Sequence, residues 1–236
     1  MARLRYLEKP RARVELTACG ARTAKHRYRF PGSGARGLII DVTHAVDDDG
    51  SVASTKRSRG ARAAVDAARR EVTGFTRLAG SLTGRREEGA LVAFALTVDK
   101  NFSWSVWAGE NVTADRSASG QGVGVGAALW FGDVEEVEVT VALSFVDVEG
   151  ARRNLDAEGA RSFDACRAEA TAEWEAALGV VSATGAAAVV ETYSAAERNS
   201  RPSALVSPGA RRSPSDAAKT VEDGLRLFFE SSWSPA

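Results

Sequence analysis

The periodicity of the sequence changes sharply between residues 136 and 158. From Glu136 to Phe145, apolar residues alternate with polar ones, which is the period of a strand with one buried face. From Glu149 to Glu158 the chain is polar and places Ala151 and Leu155 four residues apart, which is the spacing of one helix face. The sequence therefore predicts a strand that runs directly into a helix, and the fold upstream has to end at this exit.

The segments before this exit carry mostly strand signals. Apolar and polar residues alternate over 14–18 and 26–30, and residues 90–98 are apolar on both sides, as in a strand inside a two-layer sandwich. Residues 124–131 predict a further strand. Residues 51–70 contain few bulky apolar side chains, so we expect a long excursion from the sheets there. Several strands with few helices between them indicate a large antiparallel sandwich.

The chain after the exit has helical periodicity first and none later. Apolar residues recur at steps of three and four, which predicts a helix that ends at Gly179 and buries a stripe of Phe163, Cys166, Trp174 and Leu178 against the sheet. Residues 194–215 are rich in Ser, Arg and Pro, so we expect little fixed structure there and expect residues 196–216 to be extended and exposed. The predicted organisation is a partial β-sandwich domain at 1–148, a helical linker at 149–179 and a largely unstructured tail at 180–236 with a short C-terminal helix.

Charge and composition exclude several classes of protein. Lys plus Arg and Asp plus Glu both number 31, and the basic stretches lack interleaved aromatics, so neither nucleic acid nor a membrane is a predicted partner. The first residues form no secretory signal and no stretch has the length of a membrane span, so we expect a soluble protein and leave its compartment open. Cys19 and Cys166 have no metal-ligand spacing; they form either two reduced thiols, which we favour, or a disulfide.

No catalytic or metal-binding constellation is evident in the sequence. The glycines at 120, 122, 124 and 126 do not have the spacing of a dinucleotide fingerprint, and we interpret them as one face of a strand that a neighbour approaches closely. Residues 47–50 lack the ligand spacing of a calcium loop, and we predict a turn there. Since no two carboxylates stand out as an acid and a base, we assign no catalytic and no metal residue to this chain.

Three residues are candidates for contact with a carbohydrate, namely Trp104, Trp107 and His44. An exposed indole can stack on a sugar ring, although large aromatic side chains are more often packed in a core, and both interpretations stay open. His44 follows Asp41 at a predicted strand end, where a site residue would lie. His26 shares a strand face with two aromatic residues, so we interpret it as a hydrogen-bonded core or rim histidine.

Three stretches in order resemble a known family. VELTACGARTAKHRYRFP at 14–31 resembles the "ELTAT…R…HRYTFP" stretch of the family 92 glycoside hydrolases, the calcium-dependent exo-acting α-mannosidases. VALSFVDVEGARRNLDAE at 141–158 is similar to that family's "iSFVSVEqArkNLeaE", and CRAEATAEWEAAL at 166–178 is similar to the segment that follows it. The resemblance extends over residues 13–178.

This resemblance implies a fold, and it implies that the catalytic residues belong to a second domain. It implies a mainly β, antiparallel β-supersandwich of the galactose-mutarotase-like, carbohydrate-binding type, followed by a helical linker that leads into an α/α barrel. In the family the barrel supplies the catalytic carboxylates and the calcium ligands, so calcium is expected only in the complete enzyme and no cofactor in this chain. The implied partners are a mannose-containing glycan and the catalytic barrel.

The resemblance also has limits at both ends of the chain. The family's "FSHTHLSG"-type stretch is expected upstream of Met1 and its "FYTALY" segment is not found after Leu178, so we expect an incomplete sandwich with an open sheet edge near 13–19 or 25–30 and no activity of the chain alone. Three functions remain open. They are a partial N-terminal domain of an α-mannosidase that helps to complete a sugar site, a stand-alone lectin-like module that uses Trp104 and Trp107, and an inactive relic of a mannosidase gene.

Overall fold

The computed structural model describes residues 5–6, 12–34, 36–44, 58–79, 88–179 and 226–228 of the 236-residue chain. Two helices and thirteen strands lie in these ranges. The helices are α1 (Val148–Glu158) and α2 (Phe163–Leu178). The strands are β1 (Arg5–Tyr6), β2 (Arg13–Ala18), β3 (Thr23–Arg29), β4 (Arg36–Asp41), β5 (Ser58–Asp66), β6 (Glu71–Leu78), β7 (Ala90–Val98), β8 (Ser103–Ala108), β9 (Asn111–Thr113), β10 (Ser117–Gly120), β11 (Val125–Gly132), β12 (Glu136–Ser144) and β13 (Arg226–Phe228).

The strands form two antiparallel sheets. The larger sheet has eight strands in the order β1-β2-β3-β12-β7-β6-β5-β10, and the smaller has five in the order β13-β4-β11-β8-β9. Every strand pair is antiparallel. The predicted mainly β, antiparallel sandwich with helices after the sheets is confirmed.

The hydrophobic core lies between the two sheets. The alternation seen in the sequence turns one face of each strand inward, because successive side chains of a strand point to opposite faces. Burial of each large aliphatic side chain stabilises the fold by about 1.5–3 kcal/mol. The inward residues include Leu38 and Ile40 of β4, Leu96 of β7, Leu129 of β11, and Val137 and Val139 of β12, all at most 1% exposed.

The strand-to-helix exit is held by side chains of its own sequence. The Asp147 carboxylate accepts a hydrogen bond from the Gly150 backbone N–H at 2.5 Å and caps the N-terminus of α1. The Ser144 hydroxyl accepts one from the Val146 N–H at 3.1 Å, and the Asn154 side chain donates to a carbonyl of β12 at 2.7 Å. The predicted exit from strand into helix is therefore present, with α1 lying on the outer face of the larger sheet.

The linker consists of two helices, and the second covers less of the sheet than the sequence predicts. Phe163 and Cys166 are fully buried against β2 and β3. Trp174 is 39% exposed, so its predicted burial is wrong, and the side chain of Leu178 lies outside the described residues. The reason is geometric: α2 packs near the edge of the larger sheet, and its second half extends past the strands that would cover it.

A disulfide joins the end of β2 to the first turns of α2. Cys19 and Cys166 are bonded through their sulfurs across 147 residues of sequence, so the favoured interpretation as reduced thiols is not what the structure has. Packing of α2 on β2 brings the two Cα atoms to 4.7 Å, a proximity that sequence separation does not reveal. Beside the disulfide, the Arg27 guanidinium lies 4.2 Å from the Phe163 ring centroid and 3.1 Å from the Asp164 carboxylate.

The expected excursion at 51–70 is wrong for the residues that the structure describes there. Residues 58–66 form β5, which pairs with β6 on one side and β10 on the other. Its inward residues include Ala61, Ala63 and Val65. Small side chains give a weak strand signal, but two neighbours satisfy the backbone of β5 and make it an interior strand.

Two other local expectations also need correction. The glycine run does not lie on one strand face, since Gly120 ends β10, Gly122 occupies a turn with a φ of 68° and Gly126 lies in β11. At 226–228 the structure has β13, which pairs with the edge strand β4, where we predicted a short helix. Pairing at an open sheet edge overrides a weak local helical preference. The predicted turn at 47–50 and the tail from 180 to 225 lie outside the described residues.

In the described part of the chain, β1 and β2 lie at one side of the larger sheet, and the predicted open edge near 13–19 or 25–30 stays a prediction. β1 pairs with β2 only at Arg13 and Val14, so the remainder of β2 has a single described strand neighbour, β3. Leu16, on the inner face of this edge, is 45% exposed. An open edge with an apolar residue is a place where further chain can pair.

Candidate functional site

The candidate residues of the sequence lead to the outer face of the smaller sheet. We call this surface the tryptophan face. It is formed by outward side chains of three adjacent strands, β4, β11 and β8, which pair in rows. The rows are Asp41, Gly126 and Trp107; Ile39, Ala128 and Ser105; and Gly37, Trp130 and Ser103.

Trp107 lies across Gly126, its partner in the neighbouring strand. A Cβ atom at Gly126 would stand 2.2 Å from Cζ2 of Trp107, which is far inside van der Waals contact. Only a glycine at this position lets the indole come this close to the backbone of β11. Trp107 is part-exposed, so part of this side chain remains accessible to a ligand.

A hydrogen-bond network fixes the end of β4 in the same row. One oxygen of Asp41 accepts from both the backbone N–H and the hydroxyl of Thr43, each at 2.9 Å. The same hydroxyl accepts from the Val125 N–H at 3.1 Å, which ties the end of β4 to β11. Thr43 and His44 are at most 2% exposed, so the network is shielded from solvent and holds the Asp41 carboxylate in one orientation.

The structure does not bring the three candidate residues into one cluster. Trp107 faces outward, whereas Trp104 lies on the other face of β8, packs against the core and donates its indole N–H to the Asp115 carbonyl at 3.0 Å. His44 is buried directly after Thr43, at the end of β4 that carries Asp41. Trp107 and the end of β4 therefore share one site, whereas Trp104 is partly buried against the core from the other face of β8.

Trp130 is a residue of this face that the sequence analysis missed. A Cβ atom at Gly37 would stand 2.6 Å from Cε3 of Trp130, so this indole also lies over a glycine of the adjacent strand. Trp130 is part-exposed. The pattern of a tryptophan opposite a glycine recurs, but it is visible only once the strand register is known, because Gly37 and Trp130 are far apart in sequence.

Two acidic side chains of the larger sheet form ion pairs with arginines. Glu138 pairs with Arg27 at 2.7 Å, and Glu136 pairs with Arg29 at 2.6 Å. Arg27 also lowers the pKa of the Asp164 carboxyl through a hydrogen bond. Within the described part of the chain, no three His, Cys, Asp or Glu side chains are grouped to hold a metal ion. The described helices include none that is long and apolar enough to cross a membrane.

Two shallow depressions lie away from the tryptophan face, at the end of the larger sheet. One has a volume of about 330 Å³ and the other about 260 Å³. The first is lined by Arg59, Arg77, Glu88 and Gln121, and the second by Phe75, Arg77, Leu91, Ala93 and Val146 to Val148. We place the candidate site on the tryptophan face, because its aromatic rings and its fixed carboxylate offer specific ligand chemistry that these open depressions lack.

The fold and this face define an antiparallel β-sandwich module with a helical exit. Residues 5–144 match the glycosyl hydrolase family 92 N-terminal domain, which is more than half of the chain. The chain belongs to glycoside hydrolase family 92, through the N-terminal domain of that family. No curated protein matches the chain.

Solved structures of the same family share the fold. The family 92 glycosyl hydrolase ccman5 is 26% identical, with a TM-score of 0.59, over 74% of this chain and 22% of its own. A family 92 inverting mannosidase from Bacteroides thetaiotaomicron is 20% identical, with a TM-score of 0.65, over 81% and 24%. A family 92 α-mannosidase from the same organism is 21% identical, with a TM-score of 0.63, over 80% and 25%. The chain therefore spans about a quarter of the length of the structures that it matches.

Proposed function

We propose that this chain is the N-terminal module of an α-mannosidase-like glycoside hydrolase and binds a mannose-containing glycan. In this proposal, hydrolysis requires a catalytic α/α barrel together with its calcium, and the module supports carbohydrate binding. Membership of the family supports the enzyme class. The observation that carries the binding proposal is the Trp107 indole laid over Gly126, in one row with the Asp41 carboxylate.

The chemistry of a pyranose suits this row. One side of a mannose ring presents C–H groups, which pack on an indole with gain of apolar contact, while the hydroxyls around it need hydrogen-bond partners. A charged acceptor forms stronger hydrogen bonds than a neutral one. Thr43 already orients the Asp41 carboxylate, so little side-chain freedom is lost when a sugar hydroxyl donates to it.

The alternative hypothesis, a stand-alone lectin-like module, has less support. That hypothesis used Trp104 and Trp107 together, but their rings lie on opposite faces of β8 and the Trp104 N–H is bonded to Asp115. A single indole with one carboxylate gives weak binding of a monosaccharide. We therefore favour a module that contributes to a larger sugar site.

Calorimetric titration with methyl α-mannoside tests the proposal. We expect weak, saturable binding that Trp107→Ala reduces by about tenfold or more, which corresponds to the loss of about 1.4 kcal/mol of binding free energy. Trp174→Ala is the matched control, because Trp174 is 39% exposed on α2 and lies outside the tryptophan face. Trp174→Ala should leave the affinity unchanged.

The same preparation should release no product from an aryl α-mannoside with calcium present. Absence of saturable heat, or equal affinity in wild type and Trp107→Ala, would contradict the binding proposal. Calcium-dependent turnover by the pure chain would contradict the proposed need for a barrel. The two readouts therefore separate binding from catalysis.

A further inference from the structure

The second indole of the tryptophan face has no role in the site just proposed. Trp130 lies over Gly37 in the way that Trp107 lies over Gly126, on the same outer surface. We propose that the tryptophan face, from Trp107 to Trp130, is an extended binding surface for a linear, neutral oligosaccharide of about three sugars. This inference rests on the proposed function and adds the length and the position of the bound chain.

The strand register sets the distance between the two stacking positions. Each indole covers the glycine that pairs with its own tryptophan. Trp107 of β8 covers Gly126 of β11, and Trp130 of β11 covers Gly37 of β4. The two covered glycines are thus four residues apart along the strands and one strand apart across them, which is about 14 Å at ordinary sheet spacings. A pyranose with its glycosidic oxygen spans about 5 Å on ordinary covalent bond lengths, so three sugars fit between and over the rings.

The surface between the rings is low and uncharged. The middle row consists of Ile39, Ala128 and Ser105, and Ala128 is 8% exposed beneath its neighbours. Asp41 is the one charged side chain among the described outward residues of β4, β11 and β8, and the register of β13 places Arg226 opposite Asp41 in the next strand. The two indoles, the serine hydroxyls and the carboxylate of these three strands complement a neutral, hydroxyl-rich ligand.

The arrangement also has a purely structural explanation, which the experiment has to separate from binding. An aromatic side chain that covers a glycine of the next strand compensates for the missing side chain and stabilises the sheet. If stability were the whole role of Trp130, a leucine at that position would keep the apolar cover, and no ligand would distinguish the two variants. A binding role needs the flat ring itself.

The test compares ligands of increasing length by calorimetry, using methyl α-mannoside, mannobiose and mannotriose with the full chain. We expect mannotriose to bind about tenfold more tightly than the monosaccharide. Trp130→Leu should abolish this gain and leave methyl α-mannoside affinity within about twofold, with an unchanged far-ultraviolet circular dichroism spectrum. Trp107→Ala should weaken binding of all three ligands.

A second variant keeps both indoles in place. Ser105→Arg introduces a long side chain between the rings, and it should reduce mannotriose affinity about tenfold while methyl α-mannoside binds as before. The inference is wrong if affinity does not rise with length, or if the gain survives both Trp130→Leu and Ser105→Arg. If methyl α-mannoside binds but affinity does not rise with the length of the sugar, this inference alone is contradicted. If none of the three sugars binds, the proposed function is contradicted as well.

Discussion

At the scale of single residues, the inner face of β3 carries a polar pair inside the sandwich. The imidazole Nδ1 of His26 lies 2.7 Å from the hydroxyl oxygen of Tyr28, and the two rings meet edge to face. Burial lowers the pKa of His26 to about 4 and raises that of Tyr28 well above its usual range. Both groups are therefore uncharged at neutral pH, in agreement with the interpretation of His26 as a hydrogen-bonded core or rim histidine.

The depressed pKa of His26 predicts a fold that loses stability in mild acid. The unfolded chain, with an ordinary histidine pKa of about 6.5, binds a proton that the folded chain takes up only near pH 4. The contribution of neutral His26 to the free energy of unfolding is thus fully present above about pH 6.5, and it is lost as the pH falls toward about 4. We expect urea unfolding at about pH 5 to give a free energy up to about 2 kcal/mol below that at about pH 7.5.

His26→Gln is the control for this pH dependence. It retains a polar side chain that can bond Tyr28 but has no proton to gain in this range, so its loss of stability between the two pH values should be smaller by up to about 2 kcal/mol. Equal losses in wild type and His26→Gln would show that other groups cause the acid sensitivity. A steeper loss in the variant would contradict the direction of the pKa shift.

The sequence revealed some of these residue roles and concealed others. The inward position of His26 followed from its place two residues before Tyr28, because period-two alternation is a local property. The tryptophan face was only half visible, since the role of Trp107 depends on Gly126 and that of Trp130 on Gly37. Which residue lies opposite which is decided by strand register, a non-local property that no short motif encodes.

At the scale of elements, an ion pair clamps α1 to the larger sheet. Glu71 of β6 is 3% exposed, and its carboxylate accepts from the Arg152 guanidinium at 2.7, 3.0 and 3.3 Å. Arg152 also pairs with Glu149 of its own helix at 2.5 Å. Glu71 raises the pKa of Arg152 through these hydrogen bonds, so the guanidinium stays charged throughout the range in which the protein folds.

Removal of Arg152 should destabilise the protein strongly. Arg152→Ala leaves a buried carboxylate without its bidentate partner, and we expect the free energy of unfolding in urea to fall by about 3 kcal/mol. Arg153→Ala is the matched control, because Arg153 is 72% exposed and lies 4.0 Å from Asp147, so its loss should cost about 0.5 kcal/mol or less. Similar values for the two variants would contradict the clamp.

The disulfide between β2 and α2 should contribute stability through chain entropy. A covalent bond that closes a loop across 147 residues lowers the conformational entropy of the unfolded chain. This raises the free energy of unfolding by up to about 5 kcal/mol. Dithiothreitol should therefore lower the urea midpoint of the wild type, and it should not change that of the double variant Cys19→Ser with Cys166→Ser. Titration of two free thiols in the denatured, unreduced protein would contradict the bond.

The elements differ in how well the sequence predicts them. β12 and α1 are evident from local periodicity, and their junction is encoded by Ser144, Asp147 and Asn154 close to each other in the chain. β5 was missed because its inward residues include alanines, and its strand character comes from pairing with β6 and β10. The exposed Trp174 was missed because the edge of a sheet cannot be located from the helix that packs on it.

At the scale of the whole molecule, the chain is a family 92 N-terminal domain that spans about a quarter of the structures it matches. The described residues separate two kinds of surface. The outer face of the larger sheet is occupied by α1, α2 and their ion pairs, while the tryptophan face of the smaller sheet carries two part-exposed rings. The helices and ion pairs that stabilise the fold thus lie on one side of the sandwich, and the proposed sugar-binding surface lies on the other.

The central claim is that the tryptophan face binds mannose-containing glycans, and the indole N–H signals of the five tryptophans test it most directly. In nitrogen-proton correlation spectra assigned by single Trp→Phe variants, added mannotriose should shift the signals of Trp107 and Trp130. The Trp104 signal should stay in place, because its N–H donates to the Asp115 carbonyl on the other face of β8. Shifts confined to Trp104 or Trp174, or no shift of any indole at saturating mannotriose, would contradict the account.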